Sequence, residues 1–318
     1  MAEQPAFDVA VVGAGPAGIA AALAAAERGA RTVVIDEQPE PGGHLRWSIE
    51  PVLGLDDPLA GQPGARVAAA LRRQMGAAGV EARPNTIAWG LFAGNVLGLA
   101  GPGGAAELAA RSIVVASGST DIVAPFPGDT LPGVLTARAL LIFLHLHRVL
   151  PGRRFVLLGP EAETAPLAHA LDLAGAEVAA RADGVAGVRA LGSGRLERVE
   201  LDGRAIEADG LALALGRQPD AELALQAQAE TRFALEAGGW VPLRTPRLET
   251  SAPGVYVAGE AGGSRGAAES LAEGRLAGLA AAGAPDDAIE AALARLDQVR
   301  GPERRALAGR LRLEARVG

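Results

Sequence analysis

Cysteine is absent from the 318-residue sequence, and this absence limits the chemistry that the chain can perform. Without thiols, the chain cannot carry a disulfide redox pair, a thiolate nucleophile or a cysteine-held iron–sulfur cluster. Lysine is absent as well, so all 30 basic residues are arginine. The net charge is −7 and no dense basic run is present to neutralise a phosphate backbone, so we expect no nucleic-acid binding.

Aromatic residues and long apolar runs are also scarce. Aromatic residues make up 3% of the chain and apolar residues 49%, so the core must be built mainly from aliphatic side chains. No uncharged apolar run reaches the roughly 20 residues that a transmembrane helix needs. The N-terminus enters an apolar strand almost at once, without the basic region of a signal peptide. We therefore expect a cytoplasmic protein with no membrane span.

The clearest positive signal is a strand, a glycine turn and a helix near the N-terminus. Gly13, Gly15 and Gly18 form a G-x-G-x-x-G motif directly after an apolar run. In such a motif the first glycine permits a tight turn, the second leaves room for a pyrophosphate, and the third allows close packing of helix and strand. The helix that begins with Pro16 and Ala17 offers free N–H groups and a positive dipole to a phosphate.

A second strand follows this helix and ends in two acidic residues, Asp36 and Glu37. Asp36 lies at the end of this strand, where a carboxylate can accept hydrogen bonds from the hydroxyl groups of an adenosine ribose. The glycine motif alone is weak evidence. The ordered succession of strand, glycines, helix, second strand and acid predicts a dinucleotide site.

Later segments add candidate contacts for the same ligand. They combine small residues that let the backbone approach a ligand with polar groups at the ends of apolar strands. These residues are Gly43 and His44 in a double-glycine loop, Ser117 and Gly118 after one strand, Gly259 and Glu260 after another, and Gly266 and Ala267 at the start of a long helix.

A second glycine turn, in VLLGPEAETAPLAHAL (156–171), has an altered composition. Gly159 is present, but Glu161 occupies the place of the second glycine and Thr164 that of the third small residue. Two like charges about 4 Å apart repel by roughly 4 kcal/mol at an effective dielectric constant of 20. That corresponds to about a thousandfold in affinity. With Glu163 adding further charge, we expect NAD(P) binding to be absent or weak.

The segments GAGPAG, ASG and PGVYVAGE together resemble two-dinucleotide-binding-domain flavoproteins of the glutathione reductase and thioredoxin reductase class. The resemblance implies an α/β fold with two Rossmann-like, three-layer (ββα) nucleotide-binding domains, the second inserted in the first. It implies an FAD-binding domain of residues 1–122 and 246–283 and an inserted NAD(P)-binding-like domain of residues 123–245. Residues 284–318 form a helical tail, either solvated or partner-binding. The candidate contacts above would hold FAD.

Within that class, DEQPEPGGHLRW, PFPGDTLPGVLTARALL and GEAGGSRGAAESLAEGRLAGLAA resemble the FAD-containing alpha-type subunits of heteromeric amino-acid and imino-acid dehydrogenases. That group includes opine oxidase, hydrogen cyanide synthase, hydroxyproline dehydrogenase and dye-linked proline dehydrogenase. Glu260 departs from the usual aspartate of this pattern, and His44 from the usual glutamine. The resemblance implies an oligomer with a second, D-amino-acid-oxidase-like flavoprotein subunit, and it leaves open a separate iron–sulfur subunit.

The leading hypothesis is therefore the flavin and electron-relay subunit of a heteromeric amino-acid or imino-acid dehydrogenase. A stand-alone NAD(P)H-dependent flavin oxidoreductase is one alternative. A non-catalytic assembly subunit that holds a nucleotide is the other. The sequence assigns no catalytic residue and contains no recognisable metal-ligand cluster.

Overall fold

The computed structural model describes residues 5–56 and 58–313, which divide into two compact units. The segment Thr120–Gln218 forms one unit, and the described residues on both sides of it form the other. The second unit is therefore inserted in the first. Residues 219–245, which the sequence analysis assigns to the inserted domain, cluster with the first unit.

The strands are short, and most of them alternate with helices or turns along the chain. They are β1 (Phe7–Val12), β2 (Thr32–Ile35), β3 (Glu81–Arg83), β4 (Ile87–Phe92), β5 (Val96–Gly101), β6 (Gly104–Val115), β7 (Ser119–Asp121), β8 (Val134–Thr136), β9 (Arg154–Leu158), β10 (Glu177–Ala182), β11 (Val188–Leu191), β12 (Arg198–Leu201), β13 (Arg204–Glu207), β14 (Gly210–Leu213), β15 (Arg217–Pro219), β16 (Thr231–Ala234), β17 (Gly239–Pro242) and β18 (Val255–Val257).

The helices are rich in alanine and leucine. The α-helices are α1 (Pro16–Glu27), α2 (Gly64–Ala77), α3 (Ala137–Leu141), α4 (Glu161–Leu173), α5 (Glu222–Gln226), α6 (Ala267–Ala281), α7 (Asp286–Val299) and α8 (Pro302–Arg310). Shorter turns are of the 3₁₀ type at Gly43–Trp47, Leu235–Ala237 and Gly259–Gly262, and of the π type at Ile142–Leu146.

The first unit is built on a seven-stranded sheet of order β3-β2-β1-β6-β5-β4, with β18 paired to β6. The pairs β1–β2, β1–β6, β2–β3 and β6–β18 are parallel, whereas β4–β5 and β5–β6 are antiparallel. Helices α1, α2, α6 and α7 bury apolar side chains on one face of the sheet, and α5 does so on the other. Parallel strands buried on both faces read as continuous apolar runs, which is why β1 and β2 were recognisable in the sequence.

Helices α1 and α6 pack backbone against backbone. A Cβ atom added to Gly274 would lie 2.0 Å from the carbonyl oxygen of Ala17, and one added to Gly278 would lie 2.1 Å from that of Ala21. No side chain larger than hydrogen fits at either position. The glycines therefore allow the two helices to approach more closely than alanine would permit.

The second unit repeats the three-layer arrangement. Its sheet has the order β10-β9-β14-β8 with parallel pairs, and a separate antiparallel sheet has the order β11-β12-β13. One apolar cluster joins the main sheet to α3 and α4, and another joins it to β11 and β12. The predicted α/β class with an inserted second domain is confirmed.

Two predicted helices differ from the structure. Apolar spacing predicts one helix over residues 64–83, but α2 ends at Ala77 and β3 follows, because Gly79 adopts a φ of +70°. The run 137–150 predicts a second helix. It is α-helical only in α3, passes into the π turn, and ends where Arg148 adopts a φ of +57°.

The C-terminal helices belong to the first unit rather than to a solvated tail. Ile289, Ala292 and Leu296 on α7 are buried in the same apolar cluster as α1 and α6. Leu307 on α8 packs with residues of β16 and β17. Among the residues that the structure describes, no helix has the length and apolar character needed to cross a membrane.

Candidate functional site

The carboxyl ends of four parallel strands lie in register at one edge of the first sheet. Val12 at the end of β1 pairs with Ile35 of β2 and with Val115 of β6, and Val115 pairs with Val257 of β18. Residues that directly follow these strands must therefore lie along the same edge, which we call the carboxyl edge. In parallel α/β sheets this edge is where ligands bind.

The first glycine turn (residues 13–18) begins at the carboxyl edge. Gly13 has a φ of +97°, and a Cβ atom there would lie 2.3 Å from the carbonyl oxygen of Ala116. A Cβ atom at Gly18 would lie 1.8 Å from the carbonyl oxygen of Gly13. At Gly15, by contrast, a Cβ atom would meet no described atom within 4 Å. Gly13 and Gly18 are thus required by the fold, whereas Gly15 leaves open space at the start of α1, where Pro16 and Ala17 follow.

The two acids after β2 have different environments. The carboxylate of Asp36 accepts hydrogen bonds from the backbone N–H groups of Ala14 and Gln38. Burial raises the pKa of Asp36, and these two N–H groups oppose the rise. Glu37 is exposed, and its carboxylate accepts a hydrogen bond from the Gln38 side chain at 3.2 Å. Asp36 therefore holds the first glycine turn, and Glu37 is the acid that can face a ligand.

The double-glycine loop lies over the first glycine turn. The N–H group of Gly42 donates to the carbonyl oxygen of Ala14 at 2.7 Å. A Cβ atom on Gly43 would lie 2.8 Å from the Cα atom of Gly15, so only glycine fits between the two loops. The 3₁₀ turn that begins at Gly43 then carries His44, whose ring centroid lies 5.3 Å from that of Trp47.

Glu260 connects this loop to two other parts of the carboxyl edge. Its Oε2 atom accepts a hydrogen bond from the Ser119 hydroxyl and lies 3.4 Å from Nδ1 of His44. The Glu260 side chain is 17% exposed and that of His44 32%. Ser119 was not among the sequence-predicted residues, although it directly follows two that were. The structure thus brings His44 and Glu260 together, 216 positions apart in the chain.

Ser117 and Gly118 lie at the carboxyl edge and also make hydrogen bonds that stabilise the fold. The Ser117 hydroxyl donates to the carbonyl oxygen of Asp220 at 2.8 Å, and the N–H group of Asp220 donates to the carbonyl oxygen of Gly118 at 3.0 Å. Burial raises the pKa of Asp220. The segment after β6 is therefore anchored to the start of α5, an anchor that the sequence analysis did not include.

The late turn (residues 259–266) leads from β18 into α6. Gly259 has a φ of +75° and Gly266 has a φ of +87°, both in the region that favours glycine. A Cβ atom on Gly266 would meet no described atom within 4 Å, as at Gly15. The turn therefore presents open backbone at the position where Ala267 begins α6.

Charged side chains behind the late turn form a buried set that the sequence analysis missed. We call this set the ion cluster: Arg244, Glu269, Glu273, Arg300 and Arg304. Its side chains are between 0% and 25% exposed. A sequence signal for this cluster was available in the two glutamates four residues apart on the Ala- and Leu-rich helix α6. Such acids lie on one face of a helix, and they need cationic partners when that face is buried.

The turn after β9 in the second unit has a different character. A Cβ atom on Gly159 would lie 2.0 Å from the carbonyl oxygen of Ala214, so this glycine is required by packing. Thr164 is buried and its hydroxyl donates to the carbonyl oxygen of Pro160 at 3.2 Å. Glu161 and Glu163 lie in the first turn of α4, where the helix dipole favours negative charge. This helix end therefore carries two carboxylates of its own, unlike the start of α1.

The donor set at the carboxyl edge fits a dinucleotide. It combines open backbone at Gly15 and Gly266, the N-terminal ends of α1 and α6, and the exposed carboxylate of Glu37. Free N–H groups suit a pyrophosphate, and a carboxylate suits ribose hydroxyls. In the described part of the chain, no group of three or more histidine, aspartate or glutamate residues could hold a metal ion.

Comparison with known proteins identifies the family. Residues 8–89 match the family described as FAD dependent oxidoreductase. The chain is 30% identical to one of the subunits of opine oxidase from Rhizobium meliloti (strain 1021), over 89% of its own length and 73% of the relative's. The chain belongs to this family of FAD-dependent oxidoreductases. The predicted resemblance and the assignment to the FAD-dependent oxidoreductases are confirmed, and this relative is itself one subunit of an enzyme.

Solved structures confirm the fold of this oxidoreductase. L-proline dehydrogenase from P. horikoshii matches with a TM-score of 0.78 and 23% identity, over 93% of this chain and 61% of that one. Thioredoxin reductase from T. acidophilum matches with a TM-score of 0.65 and 17% identity, over 87% of this chain and 98% of that one. The fold is thus that of the two-domain flavoproteins.

Proposed function

We propose that this oxidoreductase is the FAD-holding, electron-relay subunit of a heteromeric amino-acid or imino-acid dehydrogenase. The observation that carries the proposal is the contrast between its two glycine turns. The turn at Gly15 is open and contains no charged residue, whereas Glu161 and Glu163 lie in the first turn of α4. This contrast supports a preserved site for one dinucleotide and a second turn that repels another.

Residues of the carboxyl edge would hold the FAD. The backbone from Gly13 to Gly18 and the N-terminus of α1 would bind the pyrophosphate, and Glu37 the adenosine ribose. The late turn, with Gly259 and Gly266, and the start of α6 at Ala267 would approach the flavin end. Gly43, His44, Ser117, Gly118 and Glu260 surround the same edge and complete the proposed contacts.

The proposed chemistry follows from what these residues can and cannot do. Bound FAD supplies the two-electron acceptor that oxidation of an amine to an imine requires. The chain's own residues would bind and orient that cofactor, and Glu260 with His44 would supply an ionisable pair at the same edge of the sheet. The chain lacks cysteine, so it cannot relay electrons through a disulfide. We propose that electrons pass to or from a partner, and that this partner is a second flavoprotein subunit of the D-amino-acid oxidase type.

The similarity to one chain of opine oxidase supports a subunit role, since that chain acts within a multi-subunit enzyme. The proposed partner set is that flavoprotein subunit, with a separate iron–sulfur subunit as a further candidate. Pyridine nucleotide is proposed to be neither the electron donor nor the acceptor.

The test begins with the absorbance spectrum and the extracted cofactor of the purified protein. We expect a flavin spectrum and FAD in near-stoichiometric amount. Anaerobic mixing with NADH or NADPH should then leave the flavin oxidised, whereas dithionite should reduce it. Rapid bleaching by either nucleotide would instead support a stand-alone NAD(P)H-dependent flavin oxidoreductase. A protein that binds nucleotide without a reducible flavin would be an assembly subunit.

Co-purification tests the proposed partner. The chain, tagged in its native host, should bring down a second flavin-containing polypeptide, and the complex should oxidise an amino or imino acid with an artificial electron acceptor. A chain that purifies alone and reduces an acceptor with full activity would contradict the heteromeric proposal.

A further inference from the structure

The late turn is held from behind by ionised side chains. The N–H group of Gly259 donates to Oε2 of Glu273 at 2.9 Å, and Arg244 donates to the carbonyl oxygens of Val257 at 3.0 Å and Gly262 at 2.7 Å. Arg304 donates to the carbonyl oxygen of Gly263 at 2.6 Å. Hydrogen bonds with one ionised partner are stronger than those between neutral groups, so three of these bonds fix the backbone of the turn and the fourth fixes the end of β18 before it.

The same arginines are tied to α6. Glu269 accepts from Nε of Arg300 at 2.8 Å and from Nε of Arg304 at 3.1 Å. Glu273 accepts from Arg244 at 3.0 Å and also from Arg300. Each carboxylate thus contacts two arginines, and Arg300 joins the two. The Glu269 and Glu273 side chains are 5% and 0% exposed, so bulk water cannot replace these contacts.

The last two arginines come from the C-terminal helices. Arg300 follows α7 directly, and Arg304 lies in α8, whereas the turn they support precedes α6. Glu269 also accepts a hydrogen bond from the N–H group of Arg265 at 3.0 Å, inside the late turn. The C-terminal segment is therefore connected to the backbone of the late turn through two buried carboxylates, Glu269 and Glu273, and through one direct bond from Arg304 to a carbonyl oxygen.

We propose that Arg304 is a positioning residue of the cofactor site, which acts through Gly263 and Glu269 to set the late turn for FAD. This inference rests on the proposed FAD site. It extends that site to a helix that makes none of the proposed cofactor contacts. It also assigns an electrostatic role, because the three arginines of the ion cluster outnumber its two glutamates and leave one net positive charge beside the turn.

The test compares wild type with Arg304→Gln, Arg304→Lys and the control Arg295→Gln. Arg295 lies on the same C-terminal segment but pairs with Asp56 at the surface, where the two side chains are 37% and 83% exposed. The measurements are the Kd for FAD on the apoprotein, the absorbance spectrum and midpoint potential of the bound flavin, and the melting temperature of the apoprotein.

We expect Arg304→Gln to raise the Kd for FAD about tenfold, as the loss of charge-assisted hydrogen bonds implies. Its bound flavin should show a shifted absorbance maximum and a lower midpoint potential, because a positive charge near the flavin favours the reduced form. Arg304→Lys, which keeps the charge but not the planar fork of donors, should recover the potential and only part of the affinity. Arg295→Gln should match wild type in all three.

The possible results separate three interpretations. If wild type binds no FAD, the proposed function fails and not the inference alone. If wild type binds FAD and Arg304→Gln merely melts at a lower temperature, with unchanged Kd, spectrum and potential, the positioning role is overturned and a purely structural one remains. If Arg304→Gln does not fold, Arg304→Lys decides: weaker FAD binding supports the inference, and wild-type binding contradicts it.

Discussion

The Nδ1 atom of His44 lies 3.4 Å from the Oε2 atom of Glu260, so the double-glycine loop and the late turn meet through their side chains. The same oxygen accepts a hydrogen bond from Ser119, which follows β6. One carboxylate therefore joins segments that follow three different strands. Aspartate, one methylene shorter, would have to give up part of this arrangement, which gives a physical reason for the longer side chain.

Glu260→Gln should weaken FAD binding while leaving the fold intact. The amide retains size and can still bond to Ser119, but it loses the charge that faces His44. We expect the Kd for FAD to rise roughly threefold to tenfold, since the pair is partly exposed and screened by solvent. Isothermal titration of the apoprotein measures this change. His44→Gln, which removes the other partner, should give a similar value, and a Kd unchanged in both variants would remove the pair from the cofactor site.

Gly15→Ala tests the opening in the first glycine turn. Because a Cβ atom at Gly15 meets no described atom within 4 Å and its φ is −73°, the apoprotein should melt at the wild-type temperature. The added methyl group occupies the space proposed for the pyrophosphate, so FAD affinity should fall about tenfold or more. Gly18→Ala is the contrasting variant: its Cβ atom would clash with Gly13, and the apoprotein itself should be destabilised. Wild-type FAD affinity in Gly15→Ala would locate the cofactor elsewhere.

Asp36 and Glu37 should separate into a structural acid and a binding acid. Asp36→Ala leaves the N–H groups of Ala14 and Gln38 without their acceptor and should lower the free energy of unfolding by about 1–3 kcal/mol. Glu37→Gln, at an exposed position, should leave the stability of the apoprotein unchanged and weaken FAD binding. Urea unfolding of both apoproteins, followed by FAD titration, measures the two effects. If Asp36→Ala weakened FAD binding without loss of stability and Glu37→Gln left binding unchanged, Asp36 would be the ribose acceptor.

The double variant Glu161→Gly and Glu163→Ala should raise the affinity for NADH or NADPH. Glu161 is exposed, so solvent screens its repulsion more strongly than a thousandfold effect on affinity requires. We expect about a tenfold gain, measured by the quenching of nucleotide fluorescence. Glu177→Gln removes an exposed charge in the same unit and serves as the control. An unchanged affinity would mean that the turn excludes nucleotide for a reason other than charge.

Acid should destabilise the protein through Glu269. Burial raises the pKa of this carboxyl, but the N–H group of Arg265 and the guanidinium groups of Arg304 and Arg300 outweigh burial and hold the pKa below its ordinary value of 4.5. A lowered pKa contributes stability above pH 4.5, and that stability is lost as the pH falls through the folded-state pKa. Glu269→Gln should therefore unfold at lower urea at pH 7, with a smaller further loss between pH 5 and 3. If the stability of wild type and of Glu269→Gln fell equally with decreasing pH, Glu269 would not be the group whose protonation destabilises the protein.

Local sequence patterns were sufficient for the first glycine turn and the parallel strands. A Cβ atom on Gly18 would meet the nearby Gly13, and a strand buried on both faces reads as an apolar run, so these two features follow local rules. Gly13 faces the distant Ala116, but its place in the glycine motif was sufficient to identify it. The different environments of Asp36 and Glu37 were not predictable, because adjacent acids share one sequence context and differ only in which one faces the turn. The exposure of Glu161, which determines how strongly solvent screens its charge, was not predictable from the sequence either.

The ion cluster was beyond sequence reasoning for a different reason. Arg244 and Arg300 meet the same carboxylate from positions 56 residues apart, and no local periodicity encodes such a meeting. The amphipathic pattern of residues 286–299 predicted a helix with one apolar face. The contact of Arg300, which follows α7, with the glutamates of α6 depends on how the helices pack, and only the structure shows this.

The contact between α1 and α6 has a mechanical consequence. Gly274 and Gly278 lie directly against the backbone of Ala17 and Ala21. No side chain with rotatable bonds lies between the helices at these points, so the contact cannot adjust by a change of rotamer. Both helices start at the carboxyl edge, one after Gly15 and the other after Gly266. The distance between the first residues of the two helices is therefore fixed by this contact. A methyl group added at Gly274 or Gly278 would increase that distance, although neither position lies at the carboxyl edge.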